Sequence, residues 1–169
     1  PERARIFALR HPDVHYYLAS VMHSDTWEWM RGLDCEVWHP IIDISQKHDS
    51  HFKDVEFIYG GAFSGLRTIP LMYFEGYRNI SLFGFDSTVT KHGVMKVTGE
   101  KVYPDEPIKK MKMRFHGKLK SYLTTDNLAA QAKQLKNTLR ACKGIRCTAY
   151  GEGLVQDYLR EGKRMGWPV

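Results

Sequence analysis

Apolar residues in this chain come in short runs, each closed by glycine, proline or a polar cluster. Val14–Ser20 (VHYYLAS) is rich in aromatic and branched side chains and predicts a buried strand. Ser24 then offers an N-cap for a short helix carrying Trp27 and Met30, ended by Gly32. Glu36–His39 predicts a second strand, stopped by Pro40, and the polar stretch Asp43–Asp54 predicts a loop. Glu56–Tyr59 gives a third strand that runs into Gly60-Gly61. Ser64–Glu75 has Leu66, Ile69, Tyr73 and Phe74 at helical spacing, with Pro70 inside it, where a missing N–H predicts a kink or a tightened turn. Asn79–Phe85 (NISLFGF) is a fourth strand, ending at Asp86. Strands alternating with helices in this way predict an α/β fold with a mainly parallel sheet.

Past Asp86 the period changes. Met111, Met113 and Phe115 alternate with Lys110, Lys112, Arg114 and His116, a period of two. His116-Gly117 supplies a turn and Leu119–Leu123 a returning strand, so a β-hairpin with one apolar and one basic face is expected. Thr125 caps the next helix, where Leu128, Ala132, Leu135, Leu139 and Cys142 recur on one face until Lys143-Gly144. Ile145–Tyr150 predicts a last strand, Gly151-Glu152-Gly153 a turn, and Leu154–Met165 a final helix. With no internal repeat or low-complexity linker, the expectation is one domain over residues 1–169, with an insertion over about 87–122.

The 169 residues are 43% apolar and 26% charged, enough to bury a core and outside the range of disordered tails. No apolar run approaches the roughly 20 residues that span a bilayer, and the first residues show neither a basic n-region nor an apolar h-region, so a soluble, unexported protein is expected. Three cysteines, Cys35, Cys142 and Cys147, fit reduced thiols in a cytoplasmic protein better than a disulfide framework, and the latter two read as core. Between Ser87 and Tyr122 nine Lys/Arg face three acids, an excess equal to the net charge of +6 of the whole chain. A basic segment on a neutral body predicts an anionic partner: phosphate, nucleotide or nucleic acid.

Ligands of open parallel sheets bind beyond the carboxyl ends of the strands. Here those positions hold His23, His39, the turn Gly60–Gly65, Asp86-Ser87 and Gly151–Gly153. In the turn, Gly60, Gly61 and Gly65 let the backbone approach an anion and Ser64 adds a hydroxyl at a helix start. It is not a Walker A loop, because Leu66 stands where that loop requires lysine. Gly151 and Gly153 echo the arrangement, but Gln156 fills the third position of a dinucleotide fingerprint. Asp86 is a candidate to hold a ribose hydroxyl, orient a base or bind a metal. His92 and His116 are candidate bases beside the lysines. His48 and His51, with Asp49 and Asp54, offer a loose metal-like spacing, but no cysteine pair or HExxH pattern accompanies them and no metal ligands are assigned.

The segment FIYGGAFSGLRTIPLMYFEGYRNISLFGFDST (Phe57–Thr88) resembles the core of the MptE-like family, which includes 6-hydroxymethylpterin diphosphokinases and motility-associated flagellin glycosylation factors. Tyr16–His39 (YYLAS-x-x-H…VWH) and Leu123–Leu154 (LTTDNLAAQA…YGEGL) fit the same pattern, so the resemblance spans most of the chain. The segment is also similar to Rossmann-like bacterial sialyltransferases. The resemblance implies a Rossmann-like three-layer domain and a transferase using a nucleotide or nucleotide-sugar donor, with Mg²⁺ if the transferred group is diphosphoryl. Carried over, Gly61, Ser64 and Gly65 would contact the nucleotide, Asp86 and Ser87 would lie beside it, and His92 would act as base from a lid formed around the hairpin. Relatives begin with an earlier strand and a Gly-x-Gly-Pro-Ser-like turn, which is expected to be missing here. Two other readings stand beside this one. Lys110, Lys112 and Arg114 could contact nucleic-acid phosphates, with Tyr103, Phe115 and Tyr122 as stacking surfaces, or the chain could be a non-catalytic remnant of the same fold.

Overall fold

The computed structural model describes residues 10–41, 57–61, 63–92 and 106–167. The chain forms two compact units, Pro1–Tyr59 and Gly60–Val169. In the first, β1 (Tyr16–Ala19), α1 (Ser24–Met30), β2 (Cys35–Pro40) and β3 (Phe57–Ile58) follow one another. Both strand pairings are parallel, Tyr16 to Ala19 against Cys35 to Trp38 and His39-Pro40 against Phe57-Ile58, in the order β1-β2-β3. Leu18, Met30 and Ile58 are buried here. His15 pairs with Asp34 at 2.8 Å and Glu36 at 3.5 Å, and the hydrogen bond to Asp34 is the main reason its pKa is raised.

Two expectations are corrected in this unit. β2 does not stop before Pro40 but includes it, paired with Ile58 in the parallel ladder. The N-cap of α1 is His23, not Ser24: the His23 Nδ1 accepts from the Asp25 N–H at 3.2 Å. A ring nitrogen can reach the second amide of the helix, which leaves Ser24 inside the first turn.

The second unit contains α2 (Ser64–Phe74), β4 (Asn79–Leu82), β5 (Lys109–Phe115), β6 (Lys118–Thr124), α3 (Asp126–Ala141), β7 (Arg146–Ala149) and α4 (Leu154–Arg164). β4 and β7 pair in parallel from Asn79↔Arg146 to Leu82↔Ala149. β5 and β6 form the expected antiparallel hairpin, closed by His116 and Gly117 at φ 48° and 76°, the double left-handed turn that matches strand twist. The fold is thus mixed α/β, and among the described residues every strand pairing outside the hairpin is parallel. No helix among them is long and apolar enough to cross a membrane.

The core of this unit joins Leu66 and Ile69 of α2, Leu135 and Leu139 of α3, Cys147 of β7 and Leu154 of α4. Cys142 and Cys147 are free and buried, and burial pushes the Cys147 thiol up to about 11, so both serve as packing groups. Thr125 caps α3 as expected, accepting from Leu128 N–H at 3.3 Å.

Two sequence expectations change. β4 stops at Leu82 instead of reaching Phe85, because Gly84 at φ 71° turns the chain out of the ladder. Phe115, offered as a stacking surface, points into the core and is 3% exposed. Pro70 lies inside α2, which continues past it to Phe74. Its missing N–H removes the helical partner of the Leu66 carbonyl.

Candidate functional site

The parallel ladder of β4 and β7 delivers two loops at its carboxyl end, Phe83–Ser87 and Tyr150–Gly153. They are tied together by hydrogen bonds and by one stacked ring pair, Phe83 on Tyr150. The Asp86 carbonyl accepts from Leu154 N–H at 2.9 Å, and from Val155 N–H at 3.5 Å, so Asp86 main chain satisfies the start of α4, which has no side-chain cap. Gln156 Nε2 donates to Asp86 Oδ1 at 2.9 Å and to the Tyr150 carbonyl at 3.0 Å. Gly153 lies against the Asp86 backbone: a Cβ there would stand 2.8 Å from Asp86 Cα and 2.8 Å from Gln156 Oε1. Only glycine permits this approach. Asp86, Gly151 and Gly153, predicted from separate parts of the sequence, therefore share one corner of the unit.

The turn at Gly60–Gly65 reaches the same loops. A Cβ on Gly60 would meet Arg67 Cα at 2.5 Å and the Leu66 carbonyl at 2.8 Å, so the loop passes directly over the helix at the carbonyl that Pro70 leaves without a helical partner. Gly65 faces the Phe85 ring, and Gly61 faces Gln134 of α3. Arg67 Nε donates to the Gly61 carbonyl at 2.8 Å. One turn earlier on α3, Gln131 accepts from Ser87 Oγ at 2.7 Å, so α3 links the glycine turn to the loop after β4. Ser87 is held at φ 51°, a left-handed conformation that costs a non-glycine residue roughly 1–3 kcal/mol. Its carbonyl accepts from Thr124 Oγ1 at 2.9 Å, which fixes this strained residue from a second side. Ser64 is exposed at the start of α2, where no side chain caps the helix. Ala62 lies outside the described residues.

Beside this corner is a cavity of about 430 Å³, lined by Thr88, Val89, β6 from Lys120 to Leu123, Glu152, Gly153, Asp157 and Arg160. Its wall carries a network the sequence reading did not anticipate. Asp157 of α4 is 8% exposed and accepts from Lys120 Nζ at 2.9 Å, from Arg160 Nη1 at 3.2 Å and, closely, from the Tyr122 hydroxyl. Burial disfavours the Asp157 charge, but the hydrogen bonds from Tyr122 and Lys120 and the charges of Lys120 and Arg160 outweigh it, and the pKa is lowered. Tyr122 is shifted the other way, first by burial and then by the Asp157 acceptor, and stays protonated. Thr88, which lines the cavity, has a buried Oγ1 without a hydrogen-bond partner among the described residues, and so has Gln156 at its Oε1. Buried hydroxyls of this kind are costly unless something bonds to them.

Phe83 and Tyr150 also escaped the sequence reading, which placed both inside strands. Each directly follows a strand of the ladder. Their rings stack at 4.7 Å and 6°, and they are 71% and 48% exposed. For Asp157 a signal was present: an acid among Leu154, Val155, Tyr158 and Leu159, on a helix whose apolar face is otherwise regular.

Within the Gly60–Val169 unit, His92, Lys110, Lys112 and Arg114 do not line this cavity. His92 is exposed, and its backbone N–H donates locally to Thr90 Oγ1 at 3.3 Å. Lys110, Lys112 and Arg114 are exposed on the outer face of the hairpin. His23 and His39 belong to the Pro1–Tyr59 unit, where His23 caps α1 and His39 packs edge-on to Phe57 at 6.3 Å. Among the described residues no three His, Cys, Asp or Glu side chains are grouped to hold a metal; His48, Asp49, His51, Asp54 and Tyr103 lie outside them. No protein-family model, curated protein or solved structure matches the chain.

Proposed function

We propose that the Gly60–Val169 unit carries the donor site of a transferase that moves a glycosyl (sialic-acid-like) or diphosphoryl group from a nucleotide-activated donor. The observation that carries this reading is the cavity itself. It lies beyond the carboxyl ends of a parallel strand pair and combines an unpartnered buried hydroxyl, Thr88, with two cations, Lys120 and Arg160. A phosphate oxygen would take the hydrogen bond that Thr88 Oγ1 has to give, and the cations would offset the charge that grows on the departing nucleotide. The exposed face of the Phe83–Tyr150 stack offers a planar surface for the base. Asp86, held by Gln156, positions the loop and the start of α4 around the donor, and His92 is the side chain this reading names as acceptor base. The resemblance of Phe57–Thr88 to the MptE-like family and to Rossmann-like sialyltransferases supports the same activity, a three-layer arrangement of the fold and a cytoplasmic location.

For diphosphoryl transfer the reading includes Mg²⁺. The acids on the cavity wall are Glu152 and Asp157, and Asp157 already accepts from Lys120, Tyr122 and Arg160. Glu152 would hold the ion together with donor phosphates, a set of the kind Mg²⁺ takes. The ion would supply charge neutralisation between the phosphates.

A thermal-shift panel of CMP, CTP, ATP, GTP and CMP-sialic acid, with and without Mg²⁺, tests the reading. A true donor at about 100 times its dissociation constant adds about 2.7 kcal/mol, a rise of roughly 5–10 °C for a chain of this size. Thr88→Val should weaken the effective nucleotide by about tenfold, the value of one hydrogen bond to a charged group. Silence across the panel on a folded sample, or full binding by Thr88→Val, would remove the assignment.

A further inference from the structure

The hairpin treats its cations in two different ways. On the face turned toward the body, Lys109 pairs with Asp126 and Lys120 with Asp157, and Phe115 fills the core. On the opposite face β5 presents Lys110, Lys112 and Arg114, all exposed, and none of them has a carboxylate within ion-pair distance among the described residues. The register places Leu123, Ser121 and Leu119 across from them, so the β6 side of this face carries no acid. Three like charges aligned without neutralisation work against the folded state unless something anionic covers them.

We propose that this face is a docking surface for duplex DNA, entered as a two-stranded ribbon in the major groove. Neighbouring strands lie about 4.8 Å apart, so the ribbon with its side chains matches a groove about 12 Å wide. Side chains two residues apart on β5 stand about 6.8 Å apart, which sets the three cations in a row spanning about 14 Å. Lysine and arginine on such a row can take phosphates or guanine edges, and Leu119, 61% exposed, can meet a thymine methyl. A single strand would need aromatic rings to stack on, and this face has none, since Phe115 and Tyr122 project from the other side. A membrane surface would need more apolar area than Leu119 and part of Leu123 provide. The face adjoins the donor cavity, with Ser121 and Leu123 common to both, but its cations are Lys110, Lys112 and Arg114 while those of the cavity are Lys120 and Arg160, and the proposal stands whether or not that cavity binds nucleotide.

Fluorescence anisotropy with the whole chain and a labelled duplex of about 20 bp, from about 50 to 200 mM NaCl, gives the test. Binding should weaken linearly on a log–log salt plot. The exposed triple variant Lys110→Ser, Lys112→Ser, Arg114→Ser should reduce the steepness by about 2.7, the contribution of three phosphates at about 0.9 each. A second triple variant of equal charge loss, Lys133→Ser, Lys143→Ser, Lys163→Ser, should keep the slope of the original chain. The proposal is overturned by absence of duplex binding at the lowest salt, by equal loss in both triple variants, or by an unchanged slope in the first. Tighter binding to a single strand of the same length, or to phosphatidylserine vesicles, overturns it as well.

Discussion

Replacing Leu135 by alanine should lower the stability of the Gly60–Val169 unit by about 2–5 kcal/mol. Leu135 is fully buried at the middle of α3, in the cluster that also takes in Leu66 and Ile69 of α2 and Cys147 of β7. Removing its branched end loses the transfer free energy of the deleted carbons and leaves a cavity between elements that are already fixed by hydrogen bonds at Ser87–Gln131 and Thr124–Ser87. Urea denaturation should show a lower midpoint with an unchanged slope. Phe74→Ala, at a position 62% exposed, is the comparison and should cost no more than about 0.5 kcal/mol. A Leu135→Ala cost similar to that of Phe74→Ala would mean that α3 does not organise this core.

The second large effect is expected at Asp157. Asp157→Ala leaves the Tyr122 hydroxyl, Lys120 and Arg160 without their common acceptor. Because Lys120 and Arg160 are about half exposed, water recovers part of the loss, and the expected cost is about 2–3 kcal/mol. Asp157→Asn keeps an oxygen for Tyr122 and should fall between the two. The effect depends on pH with a definite sign. Unfolded, Asp157 takes up its proton near its ordinary value of 3.8, and in the folded chain only at a lower pH. Its contribution is therefore complete well above that value and drains away as pH falls through the folded pKa. The stability gap between the original chain and Asp157→Ala should be flat near neutrality and shrink in acid. A gap that widened in acid would contradict a carboxylate held ionised by these donors.

Where local periodicity set the structure, the sequence was readable. The apolar stripe Ala132, Leu135, Leu139 and Cys142 is the buried face of α3, and the alternation in β5 separates Phe115 from the exposed lysines. Thr125 and the turn at His116-Gly117 were legible because capping and hairpin chemistry depend on a few adjacent residues. What pattern could not show was pairing at a distance. Asp157 and Tyr122 are 35 residues apart, and nothing local announces that a helix acid will meet a strand phenol. The aromatic run after Leu82 looked like more strand, yet Gly84 sends Phe83 onto Tyr150 and Phe85 onto Gly65. Part of the corner was legible: Asp86, Ser87, Gly151 and Gly153 fall in its loops and Gly65 in the first turn of α2 against Phe85, because ends of parallel strands are where small and polar residues collect. Lys120 and Thr88, which line the cavity, carry no site assignment in the sequence: one is a single lysine of the basic segment and the other closes the Phe57–Thr88 segment.

The most direct test of a nucleotide donor site is photo-cross-linking with an azido-nucleotide, followed by peptide mapping of the full chain. Label is expected on the peptides holding Thr88-Val89 and Tyr150–Arg160, and the nucleotide that raises the melting temperature should compete it away. Label confined to the outer face of the hairpin, or label that no unmodified nucleotide displaces, would contradict a donor site at the carboxyl end of β4 and β7.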